Sequence, residues 1–360
     1  MYTPGILRGS KACAGKGNMT RTSEWCAAGH PDRMCDFIVS FILDHHLEVD
    51  PKARVALECQ LKDSHATLSG EVTSSARFTD DELGEFVREA IREIGYTREY
   101  QDLFGAEHTI AADDVVVTVH VSRQSPDISQ GVDADGWGDQ GIFFGYAVRD
   151  PKHGNMPLDQ WLAREIAHRL EGTGWGGLDI KTQVTLRDGM VTEAVAAVPL
   201  VTGTEPYRTV DMKDIVRGVV GADAEVIVNG TGRYVTHGPV GDCGTTGRKL
   251  VVDFYGGNSR IGGGSPWGKD PSKADVALNV LARRKALEYL AAHPNLPEVV
   301  CRMSSVIGRS RVRISYLSPV GEELEEGVID APVSHVVESL GLLRPEYAER
   351  CRKGLFGYER

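Results

Sequence analysis

Three times along this chain of 360 residues, an apolar run of helical period adjoins a pair of alternating runs, and that recurrence restricts the fold more than any other feature. In residues 31–48, Met34, Ile38, Phe41, Ile42 and His45 share helical spacing, with Pro31 suited to the first turn. Alternating runs at 54–61 and 66–73 follow. Next come a helix opened by the capping box of Thr79 and Glu82 and stopped by Gly95, then a strand at 115–121. The second occurrence joins a helix at 158–171 to a hairpin of 180–186 and 190–198 turned at Asp188 and Gly189; a helix at 211–219 and a strand at 225–228 complete it. In the third, a strand at 249–254 and a helix at 270–293 precede strands at 299–307 and 311–317 and a helix at 333–340. This order predicts an α+β protein of three similar domains, each a small mixed sheet with helices on one face, and not a doubly wound sheet. Residues 1–18, rich in Gly, Lys and Ser, read as a disordered extension. The domains are expected at 19–124, 138–236 and 237–360, with 125–137 a mobile active-site loop.

The formal net charge of -11 argues against a general nucleic-acid surface, because phosphate neutralisation needs massed Lys and Arg. Lys and Arg occur instead mainly beside glycines and acids, as local features. Seven cysteines form no Cys-x-x-Cys pair, and an odd, scattered set suits reduced thiols and a cytoplasmic location. No apolar run is long enough to span a membrane, and the N-terminus lacks the apolar core of a signal peptide.

Segment 262–273, GGGSPWGKDPSK, pairs glycines that admit close backbone approach with a helix start and with Lys269 and Lys273, a combination that suits a polyphosphate. Pro271 reads as the first helical residue. The spacing from Gly263 to Lys269 fits the opening of a P-loop, but Asp270 stands where that loop needs Ser or Thr for magnesium, which argues against an ordinary P-loop enzyme. Segment 238–249, GPVGDCGTTGRK, brackets Asp242 with four glycines and ends on Arg248 and Lys249, as would suit a ligand with a polar head and phosphates. Cys243 within it reads as packing, since no histidine lies near it in sequence. In GHPDR at 29–33, His30 precedes a helix start and Asp32 sits in its first turn, suited to phosphate and a divalent cation respectively. Glu58 and Glu71 face away from the apolar side of their strands, and Asp139 and Lys181 are an isolated acid and base. The adjacent His45 and His46 lack metal-ligand company and read as packing. Together these groups suggest a metal-assisted reaction on a polyphosphate nucleotide.

Taken in order, TSE at 22–24, GHPD at 29–32, DPKARVA at 50–56, GEVT at 70–73, QSPDI at 124–128, GDQG at 138–141, TGRY at 231–234 and the two glycine-rich segments resemble S-adenosylmethionine synthetases over nearly the whole chain. The resemblance implies a reaction of ATP with L-methionine and subunits that pair through their sheets into a homodimer, or a tetramer, with shared active sites. It further implies catalytic roles for His30, Lys181, Arg248 and Lys269, and nucleotide contacts from Asp139, Asp179, Arg233, Tyr234, Asp242, Lys249 and Ser265. Glu71, Gln124, Asp242 and Lys273 would hold methionine, Asp32 and Asp275 two Mg2+ ions, and Glu58 one K+. Arg33 replaces the usual lysine, Tyr234 stands where phenylalanine is common, and the loop after Gln124 is short. The competing readings are a catalytically impaired nucleotide-binding or regulatory subunit of the same fold, and a triphosphate hydrolase without methionine chemistry.

Overall fold

The computed structural model describes residues 20–122 and 135–359. The expected extension at 1–18 and most of the expected loop at 125–137 lie outside the described residues. Among the described residues, twelve strands form three four-stranded sheets with helices against them, the α+β architecture the sequence implies. In the first sheet β1 (Thr20–Cys26) is followed across by β6 (Lys181–Arg187), β7 (Met190–Ala197) and β8 (Glu225–Val228). The second runs β4 (Val116–Ser122), β3 (His65–Thr73), β2 (Arg54–Lys62), β9 (Gly244–Thr245). The third runs β12 (Glu323–Asp330), β11 (Arg311–Leu317), β10 (Glu298–Ser305), β5 (Gly141–Val148). Each sheet thus recruits one strand from far along the chain: β1 onto β6, β9 onto β2 and β5 onto β10, all antiparallel.

Alternation decides which face each sheet buries. Val55, Leu57, Cys59 and Leu61 of β2 turn onto the helix Pro31–Val49, while Glu58, Gln60 and Lys62 stay exposed. The helix Leu158–Glu171 covers β1 and β6, and the helix Ala274–Ala292 covers β5 and β10. At Gly145 of β5, an added β-carbon would lie 1.9 Å from the Ala282 carbonyl oxygen, so only glycine lets that helix approach so closely. Gly145→Ala is therefore expected to cost about 1–3 kcal/mol, read as a lower urea midpoint with an unchanged slope.

Three expectations need correction. The strand expected at 249–254 is instead a short helix, Leu250–Asp253, which turns Asp253 inward to Arg33 and to Trp267 Nε1 (2.8 Å). The helix expected from 270 begins at Ala274, with Lys273 as its N-cap residue; Pro271 lies in a turn held by Asp270, whose Oδ1 accepts the Ser272 amide at 3.0 Å. The helix expected at 211–219 spans Glu205–Val220, with Pro206 in its first turn. Elsewhere the capping box at Thr79, the left-handed stop at Gly95 and the positive φ values of Asp188 and Gly189 match the sequence reading.

Candidate active site

Strand β2 brings the two glycine-framed cationic segments together. Gln60 and Leu61 pair with Thr245 and Gly244, and at the other end Ala56 bridges Lys269 while the Leu57 amide donates to the Gly268 carbonyl at 2.9 Å. Ala56 and Gln60 are four positions apart, roughly 13 Å along the strand. The segments also touch: a β-carbon on Gly247 would lie 2.9 Å from Ser265 Cβ. At Gly244 it would lie 2.2 Å from the Pro31 carbonyl, so glycine is what lets the turn rest on the helix start.

At that helix start His30 is the N-cap residue and only 2% exposed; its Nδ1 accepts the Asp32 amide at 3.2 Å. Acceptance at Nδ1 places the ring proton on Nε2, so a neutral imidazole presents an N–H. Burial is the main reason its pKa falls to about 4; Asp179 and Asp32 oppose the fall, Lys249 and Lys181 add to it. Asp32, also buried, takes the Thr245 amide at 2.9 Å on Oδ1 and Lys249 Nζ on Oδ2, with Arg248 Nε 3.7 Å from Oδ1. Buried Asp179 accepts the Gly238 amide at 3.0 Å on Oδ2 and leaves Oδ1 without a partner among the described residues, while its carbonyl accepts the Tyr234 hydroxyl at 3.1 Å. Lys181 opens β6 opposite Cys26. His30, Asp32, Asp179, Lys181, Tyr234, Arg248 and Lys249 thus converge, with Arg233 exposed beside Tyr234 and Asp242 exposed at the turn, its Oδ1 on the Cys243 amide.

A second group sits at the other end of β2. Lys269 Nζ reaches Asp275 Oδ2 at 2.6 Å, and Asp275 Oδ1 accepts the Gly264 amide at 2.7 Å. Lys273 Nζ lies 2.7 Å from Asp270 Oδ2, and Ser265 Oγ accepts the Trp267 amide at 3.2 Å. The side chains of three expected residues join neither group: among the described residues Glu58 on β2 and Glu71 on β3 make no ion pair, and exposed Asp139 caps the Gln140 amide at 2.8 Å. Gln124 lies outside the described residues. Among the described residues no cluster of three or more His, Cys, Asp or Glu side chains could by itself hold a metal ion.

Sequence reasoning missed Asp36. It is fully buried one turn beyond Asp32, its Oδ1 accepts the Gly247 amide at 2.7 Å, and its Oδ2 has no partner among the described residues. Burial and then Asp253 push its carboxyl well above the usual range, against Arg33 and the Gly247 hydrogen bond. The four-residue step from Asp32 was the available signal. Arg33, in turn, points away from the site to Asp253 and the Cys351 carbonyl.

The neutral state of His30 is testable. The unfolded ring titrates near 6.5 and the folded one at about 4, so between those values the unfolded chain binds a proton that the native chain refuses. Its share of stability falls as pH drops through that window and is constant above it. Urea unfolding of wild type and of His30→Asn, where Asn preserves the cap, is expected to differ in pH slope by about one proton there. Parallel curves would show that the native ring is charged.

Three family models cover the chain: the S-adenosylmethionine synthetase N-terminal domain matches residues 18–126, the central domain 134–234 and the C-terminal domain 236–360. The chain belongs to the S-adenosylmethionine synthetase family. The S-adenosylmethionine synthase of Granulibacter bethesdensis is 36% identical to it, over 95% of this chain and 92% of that protein. S-adenosylmethionine synthase 2 of Rhodospirillum rubrum is 37% identical over 93% and 91%. Among solved structures, an S-adenosylmethionine synthetase from Campylobacter jejuni, described as unusual, matches with a TM-score of 0.83 at 27% identity, over 94% of each chain. The family and three-domain fold agree with the motif reading, and no described helix is long and apolar enough to cross a membrane.

Proposed function

We propose that this chain joins ATP and L-methionine into S-adenosyl-L-methionine and then hydrolyses the released triphosphate to phosphate and diphosphate. The observation that carries this is the convergence of a neutral His30 N–H with Lys249, Arg248 and Lys181 at a glycine-lined helix start. Methionine sulfur attacks the ribose C5′; the S–C bond forms as the C5′–O bond breaks, and the leaving triphosphate takes the electron pair. The sulfur bears no proton, so the protein's task is alignment and stabilisation of the departing charge. His30 donates to the oxygen near the breaking bond, and Lys181, Arg248, Lys249 and Lys269 meet the growing charge. Tyr234 offers a ring face for the base beside Arg233, with Asp139, Asp179, Asp242 and Ser265 completing the nucleotide contacts. Glu71, Gln124, Asp242 and Lys273 hold methionine.

The donors present fit magnesium: Asp32 and Asp275 are single carboxylates beside lysines, the arrangement for a cation shared with phosphate oxygens instead of an all-protein cage. Each would hold one Mg2+, and Glu58 a K+; when bound, these cations offset charge on the triphosphate. Two copies pair through their outer sheet faces. Val116, Ile142 and Val328 are 58%, 54% and 61% exposed on β4, β5 and β12, and Glu58 and Glu71 on the outer faces of β2 and β3 stand ready for groups from a partner.

Purified protein given ATP, methionine, magnesium and potassium is expected to yield S-adenosylmethionine with methionine-dependent phosphate release. Absence of the product sinks the proposal, and phosphate release indifferent to methionine points to a hydrolase.

A further inference from the structure

Between the last turns of the helix Pro31–Val49 and the ends of β3 and β4 lies a cavity of about 290 Å³. Its walls include Val72, Phe78, Leu83 and Val121, and its polar lining includes His46 and Arg77. His46 is 3% exposed, and neither ring nitrogen has a hydrogen-bond partner among the described residues. Its ring meets Phe78 edge-on at 4.8 Å. Burial, helped by His45 and opposed by Asp50, lowers its pKa to about 4, so the ring is neutral and carries one N–H and one lone pair. A buried polar group left unpaired costs about 1–3 kcal/mol, a cost that a ligand filling it removes. Arg77 is exposed and makes no ion pair or hydrogen bond among the described residues. Asp50, the acid at the end of this helix, does not line the cavity; its Oδ2 is engaged by Ser74 Oγ at 3.3 Å and the Ser75 amide at 2.8 Å. The site is separate from the cationic groups around His30, which lies sixteen residues back along the same helix, roughly 24 Å. Val72 and Glu71, successive on β3, face opposite sides of the sheet.

We propose that this cavity binds a small monocarboxylate with a short branched apolar body. Its carboxylate is taken by Arg77 and the His46 ring, and its body lies against Val72, Leu83 and Val121. A guanidinium and an unfilled ring N–H lining one cavity match a carboxylate, and the aliphatic and aromatic walls favour an occupant with an apolar body over a bare inorganic anion.

The test is a titration of the full chain with isovalerate, followed by histidine-ring NMR, the His46 signals being assigned by their loss in His46→Gln. A saturable shift confined to His46 is expected, with affinity reduced about tenfold or more in Arg77→Ala. Arg77 is exposed and unpaired among the described residues, so this variant is expected to fold as the wild type does. No His46 shift, an unchanged affinity in Arg77→Ala, or an equal response to inorganic phosphate would each overturn the proposal.

Discussion

Lys269→Met is expected to lower the rate of S-adenosylmethionine formation by about 10²–10³-fold, the loss typical when one fixed charge-stabilising donor is removed. Methionine keeps the length and apolar stem of lysine and deletes only the ammonium. Lys269 is held by a backbone bridge to Ala56 and by Asp275, so its ammonium stays in place before substrate arrives. That preorganisation is why the deficit should fall on the chemical step. Single-turnover rates with saturating ATP and methionine measure it, and circular dichroism checks the fold. A rate within about threefold of wild type would remove Lys269 from the reaction.

The second large effect is on stability. Arg33→Ala is expected to cost about 3–5 kcal/mol, because it leaves the fully buried Asp253 without its cation. Arg33 also donates to the Cys351 carbonyl and lies 5.7 Å from the Trp25 ring, so one guanidinium ties together β1, the Leu250–Asp253 turn and the C-terminal helix Tyr347–Arg352. Arg33→Ala combined with Asp253→Ala should recover part of the loss, since the stranded charge is then gone. Urea unfolding reads both. A single-variant loss below about 1 kcal/mol would mean that the pair contributes little.

What the sequence discloses follows from how each segment is buried. The alternation in β2 and β3 is legible because one face is apolar and the other polar. β5 is a near-continuous apolar run, GIFFGYAV, buried without alternation from Phe143 to Ala147, and β12 is almost wholly exposed, so neither shows strand periodicity. LVVDF at 250–254 has the β-branched look of a strand, but burying Asp253 against Arg33 bends the chain into a turn of helix. At the site, His30, Asp32, Arg248 and Lys249 are readable because glycines frame them. Asp36 is not, because an acid on a helix looks solvated until the packing around it is known.

The recruitment of strands from far along the chain has a consequence for synthesis. When a ribosome has made residues 20–122, β1 still lacks β6 and β2 still lacks β9; β5 emerges about 150 residues before the β10 it pairs with. No sheet can close until a later stretch has left the exit tunnel, so nascent fragments expose unpaired edges, and truncation at any apparent boundary leaves a sheet incomplete.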